Sequence, residues 1–507
     1  MKNIKRILGT ACLLLATSLV AAQKSDFGVW TSIEASTKLN KQLELSLEGE
    51  YRTQDMSSQS ERIATGISLS YKNKKVPFLK ADVGYSVMSM YGLGELSTPG
   101  TAAQRSMGGV GVAMFSNTSV NVLNPAANGF TPQQSFLFHF GVDGGHFRNS
   151  QTKYGATESN VKTAYNSINI HDIAFQMPLA KGLGLGFSLT PYSSVGYTMH
   201  RDDMSVAGNM GSARYEYYGE GDVSEVKLGI GWAPVKKFSM GASMIYYWGN
   251  INRSYKMLPS NIITGNGEFA STTGIDTYDV SRVMEQFGLM WNPILKSNEI
   301  LSFGATYNLG GNLNPDVVKY VYVDNLLQST VREDNNGALP LKLPQQAAVG
   351  VFYQNLKIKV GLDYVYQGWG NDNLSLQENE DNGVEVGYTD THTIKFGMQY
   401  TPRYSDVRNY LRRVAYRVGA RYGDYYQTYG GEKIDQLAVT AGFGFPVQLF
   451  GNSYVDVGFE WGMRGLGERT ILVDNMKTGL VKQNYFKFSI GLSLFGDEEW
   501  FVQRKYR

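Results

Sequence analysis

Arginine recurs every fourth residue at Arg413, Arg417 and Arg421, and Asp456, Glu460 and Arg464 repeat that spacing further along the chain. In an extended chain, residues an even number apart share a face. Each set therefore projects to one side of a strand. Lys359, Asp363, Lys395 and Lys487 fall on the corresponding parity of their own runs. Guanidinium and carboxylate groups placed this way can pair with one another, or the arginines can grip a ligand carboxylate in bidentate fashion. Thr440, Gly442 and Gly444 are small residues between the two charged runs and leave room for either. Unpaired charge in an enclosed space is costly, so mutual pairing is the default. Arg417, Arg421, Glu460, Lys395 and Lys487 are the candidate ligand-binding residues. Catalysis has no comparable support. The histidines, His139, His146, His171, His200 and His392, are isolated in sequence. No GxSxG, HExxH or metal-spaced cluster occurs. The acidic run Glu378–Asp381 reads as a solvated loop. No cofactor, metal or catalytic residue is expected.

The elements that would carry these side chains show best near the C-terminus, at Asn484–Phe495 (NYFKFSIGLSLF). Phe486, Phe488, Ile490, Leu492 and Leu494 fall on one parity, and Lys487, Ser489, Gly491 and Ser493 on the other. This is the period of a strand with one apolar face. Its length, about 11 residues, spans a bilayer at a tilt. From residue 134 onward fourteen such runs follow, beginning near 134, 163, 183, 220, 236, 279, 298, 344, 356, 389, 412, 432, 453 and 482. Short connections follow every second run, and long ones lie between. That alternation, with an even strand number, is the pattern of an outer-membrane barrel whose short turns face the periplasm. The expected fold is all-β, a transmembrane antiparallel β-barrel of about 14 strands. Mean hydropathy is −0.26 and charged residues make up 18%. No long apolar run follows the N-terminus, which excludes a helical membrane protein and not a barrel.

Residues 1–22 read as a secretory leader, with Lys2, Lys5 and Arg6 before the apolar run Ile7–Val20 and a small-residue cleavage site. Removing it takes the net charge from +2 to −1 and the one cysteine, Cys12. Disulfides and thiol chemistry are then excluded, and a near-neutral chain gives no reason to expect nucleic acid as partner. Residues 23–86 hold four strand-like runs: Phe27–Leu39, Leu43–Arg52, Ile63–Tyr71 and Phe78–Tyr85. They either join the wall, making 18 strands, or form a separate sheet; the wall option removes free edges and is preferred. Residues 87–130 break the pattern with glycine, serine, alanine and asparagine, and irregular backbone at membrane depth must be shielded from lipid. They are expected to form a plug, or hatch, inside the barrel of residues 131–507. Pro191 and Gly196 interrupt the third run. Proline cannot donate to a ladder, so a bulge or a local gap is expected there, in contact with the hatch around Asn124–Ala126.

The stretches RSMGGVGVAM (Arg105–Met114) and LNPAANGF (Leu123–Phe130) resemble the hatch of the FadL/TodX family of outer-membrane transporters for hydrophobic compounds. Leu343-Pro344, DYVYQGW (Asp363–Trp369) and RRVAYRVGARYGD (Arg412–Asp424) resemble that family's central and later strands. The resemblance covers about residues 87–507. It implies a fourteen-stranded barrel plugged by a hatch, with Arg105, Gly108, Gly109, Asn124, Pro125 and Ala126 as hatch residues. It also implies lateral release of substrate beside Pro191 and Gly196. The tyrosine-rich loops and the ending WFVQRKYR resemble members from the Bacteroidetes. DFGVWTSIE with KLNKQLELSLEGEYR resembles the opening of another, uncharacterised family of outer-membrane barrels. The expected function is uptake of a hydrophobic, fatty-acid-like small molecule across the outer membrane of a Gram-negative bacterium by a monomer surrounded by outer-membrane lipid. An anchor or shuttle for a secretion system is the alternative. A lipid-acting barrel enzyme is a third, but no serine near His200 is singled out for it.

Overall fold

The computed structural model describes the backbone of residues 16–19, 30–38, 43–54 and 59–71 and most of residues 87–494; residues 154–158, 204–211, 261–270, 334–340, 371–385 and shorter stretches between them are not described. The chain forms two compact units, Met1–Asp82 and Val83–Arg507. The first holds β1 (Ala16–Leu19), β2 (Trp30–Lys38), β3 (Leu43–Gln54) and β4 (Gln59–Tyr71) in one antiparallel sheet, in that order. These described strands pair only with each other, so they form a separate sheet and do not enter the wall. Phe78–Tyr85, expected as a strand, lies outside the described residues. Ala16–Leu19, inside the expected leader, supplies the fourth strand instead.

The second unit begins with β5, only Glu95–Leu96. The barrel follows: β6 (Leu137–Lys153), β7 (Ser159–Ala180), β8 (Leu183–Asp203), β9 (Ser212–Val235), β10 (Phe238–Ser260), β11 (Thr272–Lys296) and β12 (Glu299–Asn308). Next come β13 (Gly311–Asn312), β14 (Asp316–Val323), β15 (Leu326–Glu333) and β16 (Lys342–Leu343), then β17 (Gln345–Asn355), β18 (Ile358–Gly368), β19 (Val386–Tyr388) and β20 (Thr391–Tyr400). The last are β21 (Ala415–Tyr429), β22 (Glu432–Gln448), β23 (Asn452–Arg464), β24 (Thr470–Val473), β25 (Met476–Gly479) and β26 (Lys482–Leu494). The short strands β13–β16, β19, β24 and β25 decorate one end. The other fourteen form the wall, and β26 pairs with β6 from Lys482–Ser150 to Leu494–Phe138 to close it. Closure leaves the wall without a first or last strand, which lipid favours because open edges there are costly.

Alternation explains the wall. On β11, buried and exposed residues alternate without a break from Met284 to Asn292. The outward set is apolar: Phe287, Leu289 and Trp291 here, with Ile230, Met244, Val418 and Trp461 elsewhere, are all exposed. So wide an apolar belt marks a membrane-facing surface. The run expected to start near residue 412 is shorter than anticipated. Arg413 caps a one-turn 3₁₀ helix, Tyr410–Arg412, and only Arg417 and Arg421 belong to β21.

Candidate functional site

Residues 87–131 cross the inside of the wall, and the wall is thinned to receive them. Inward glycines of neighbouring strands lie in register: Gly231, Gly241 and Gly288 on β9–β11, Gly361, Gly397 and Gly419 on β18, β20 and β21. A Cβ on Gly241 would lie 2.5 Å from the Pro125 carbonyl carbon, and one on Gly288 would lie 2.1 Å from Asn124 Oδ1. A Cβ on Gly419 would meet the backbone nitrogen of Gly108 at 2.2 Å. Gly108 itself has φ +70 and sits against the Phe396 and Ala420 backbone, so its close turn needs glycine too.

Polar side chains from the wall finish the attachment. Thr440 Oγ1 donates to Ser106 O (3.0 Å) and accepts from Gly108 N–H (2.9 Å). Asp363 Oδ2 accepts from the Gly111 and Val112 N–H groups at 2.7 and 3.0 Å. Asn124 donates to Val112 O and Leu289 O and caps the following turn by accepting from Ala126 N–H. Ala126 O accepts from Ser239 Oγ. Gly109 packs near the Lys395 side chain, with 3.8 Å between its Cβ position and Nζ. Asn124–Ala126 therefore lies against β9–β11 and not at the interruption of β8, where it was expected.

The charged set pairs across the glycine- and threonine-bearing strand β22. Arg417 on β21 reaches Asp456 on β23, and Arg421 reaches Glu460, with its Nη1 3.1 Å from Oε2. Arg421 also donates to Tyr485 Oη at 3.2 Å. Arg464, one step further along β23, bonds Glu95 of β5 at 2.9 Å, and Lys487 Nζ lies 4.0 Å from the same carboxylate. Tyr165 on β7 donates to the other Glu95 oxygen at 3.0 Å. The cations rest on aromatic faces: Arg464 over Tyr425 and Tyr485, Lys487 over Phe147 and Tyr485. Arg105 joins a second set. Its Nη1 is 3.3 Å from Asp172, which also holds His139 Nε2 at 2.9 Å and His171 at 3.1 Å, and contacts the His171 ring directly. His139 bonds Ser493 Oγ at 2.9 Å.

Among the described residues the wall is interrupted at one seam. The ladder between β7 and β8 runs only from Ala180–Leu183 to Ile173–Leu189. Beyond Leu189, β8 continues with β9 through a bulge between Pro191 and Ser193. On its β7 side, the described pairing is the two-residue ladder of β5, Glu95 with Ser194 and Leu96 with Ser193. Ser89 fastens Gly196 by accepting from its N–H and donating to its carbonyl, both at 3.0 Å. Pro191 and Gly196 thus flank the place where inner-segment backbone replaces wall.

Sequence reasoning passed over Glu95, Tyr165 and Asp172, and it treated His139 and His171 as isolated although they meet at one carboxylate. No local signal joins Glu95 to Arg464; parity alone assigned Arg464 to a face. A family model described as BamG matches residues 81–507. No curated protein matches the chain. Among solved structures, a FadL homologue from Pseudomonas aeruginosa is similar over 80% of this chain and 100% of its own, at 13% identity and TM-score 0.52. The toluene transporters TbuX of Ralstonia pickettii (14% identity, 78% and 98% covered, TM-score 0.49) and TodX of Pseudomonas putida (16%, 80% and 99%, 0.48) also match. The first of these likenesses bears on the fold: a FadL-like barrel.

Proposed function

This chain belongs to the BamG family, and we propose that it is an outer-membrane channel of a Gram-negative bacterium that takes up small hydrophobic molecules and releases them sideways into the bilayer. Residues 87–130 act as the hatch that closes the barrel against direct flow. The observation that carries this reading is the seam. Strand edges in lipid carry a cost of several kcal/mol for each unsatisfied group, yet β7 and β8 separate above Leu189, and inner-segment groups meet β8 there: β5, Ser89 and the Ser97 N–H, which donates to Tyr192 O. A two-residue strand is a small thing to displace compared with a full ladder. Moving it opens a path from the lumen to the acyl region, and apolar side chains line the approach: Tyr192, Leu96, Val195 and Tyr197 pack in one cluster with Met88 and Leu93 of the hatch. An apolar solute gains by leaving for lipid through the wall, where it never meets bulk water.

The test is Pro191→Val. Valine restores a backbone donor to β8, so the seam should tighten. Uptake of a radiolabelled hydrophobe should slow while barrel yield and heat-modifiable migration stay the same. Unchanged uptake makes Pro191 an ordinary bulge and removes the lateral route.

A further inference from the structure

Glu95 is the one carboxylate on β5, and it is bound as a ligand would be bound. Its side chain is only 10% exposed. One oxygen faces Arg464 and Lys487, and the other accepts from Tyr165. These groups come from three wall strands, β23, β26 and β7. Aromatic rings of Phe147, Tyr165 and Tyr485 form a buried cluster around them. Phe147 and Tyr165 stack with centroids 4.6 Å apart. The pocket has further capacity, because Arg464 Nε and the Tyr425 hydroxyl are buried without a hydrogen-bond partner. Resting on the channel reading above, we propose that Glu95 is a built-in stand-in for the carboxylate of the transported molecule, and that an apolar carboxylic acid opens the seam by taking its place on Arg464, Lys487 and Tyr165.

The physical argument has two parts. First, β5 cannot leave alone. Withdrawing Glu95 strands the buried Arg464 and leaves the half-buried Lys487 with Glu460 of the paired strand, and an uncompensated buried charge is strongly unfavourable. Another anion must arrive as Glu95 departs. Second, the same residue closes the seam, since Glu95 pairs by its backbone with Ser194 of β8 and by its side chain with Tyr165 of β7. Exchange of one carboxylate for another therefore removes both attachments at once. A ligand shifts a conformational equilibrium only through its differential affinity for the two states. A carboxylate has that difference, because its site exists only when Glu95 is out. A neutral hydrophobe of the same length has none. The aromatic surroundings favour an anion carried on an apolar chain over a small hydrophilic anion.

The experiment uses the exported barrel, from which Cys12 departs with the leader, carrying Leu96→Cys as its labelling site. The rate of maleimide labelling in non-ionic detergent reports release of β5. Dodecanoate should speed labelling, with half-saturation at a concentration where dodecan-1-ol has no effect. Glu95→Gln should label quickly without ligand and bind dodecanoate about tenfold more tightly, the equivalent of one charge-assisted contact no longer competed for. Arg464→Gln should abolish the response to dodecanoate. The exchange is overturned if acid and alcohol act alike in the unaltered barrel, a comparison that needs neither Glu95→Gln nor Arg464→Gln to fold. An alcohol that speeds labelling as well as the acid, in a barrel that still takes up hydrophobes, ends the exchange and leaves the channel. A barrel that takes up neither ends the channel reading itself.

Discussion

The wall at β21–β22–β23 and the wall at β7–β8 meet the same demand, holding an inner segment inside a closed sheet, by opposite means. In the first, ladders run through Arg417, Arg421, Thr440 and Glu460 without interruption. Ion pairs then bridge over the small residues of β22. In the second, the ladder stops at Leu189 and inner-segment backbone takes over. Where the wall is complete, the inner segment merely rests on it through Thr440 and Gly419. Where the wall is incomplete, the inner segment is the wall. A charge lattice can make one side rigid, and a substitute strand can make the other side yield, within a single sheet.

The comparison breaks most visibly on the rigid side. Arg421→Ala leaves Glu460 buried without its arginine, with Lys487 across the ladder as its remaining cation, and should cost about 3 kcal/mol, read as an earlier urea midpoint for loss of the heat-modifiable band. Adding Glu460→Ala should restore part of it. A double variant no more stable than the single one would mean that the pair does not stiffen this side.

A smaller effect comes from the glycine belt. Gly241→Val drives a side chain into the Pro125–Ala126 backbone, and overpacking of this kind costs roughly 1–3 kcal/mol. Conductance to small solutes should rise as Asn124–Ala126 lifts from the wall. Ala242→Val, one residue on and facing outward, should leave conductance alone.

The smallest change in stability, and the one that sharpens the contrast, is Tyr165→Phe. It removes the hydroxyl bond to Glu95, worth about 1 kcal/mol. Amide exchange at Glu95 and Leu96 should quicken roughly fivefold. The global urea midpoint should not move. A shifted midpoint with unchanged exchange would place Tyr165 among the rigid elements and erase the difference between the two sides.

Much of the wall was legible in the chain because it rests on local rules. Phe486, Phe488 and Ile490 against Lys487, Ser489 and Gly491 state both a strand and its two faces. Short turns after alternate strands state how the strands connect. The inward parity of Arg417, Arg421, Asp456 and Glu460 follows from the same period. What each charge meets does not. His171 adjoins Asp172 in sequence, but His139 reaches the same carboxylate only because β6 and β7 pair in one register. Pro191 announced an interruption but not its occupant: Asn124–Ala126 was expected there, and Ser89 with Glu95–Leu96 was found.

The sequence by itself determined the period of two, the number of wall strands, the break of pattern after residue 86 and the face on which each charge lies. These depend on sterics within a few residues, which the chain states directly. The tertiary structure decided that strands β1–β4 keep to their own sheet and that the glycines align into a bed for the inner segment. It also decided that Glu95 meets Arg464, Lys487 and Tyr165 beside an open seam. Those outcomes depend on strand register and closure, which bring together residues hundreds of positions apart, and no short-range rule records such distances.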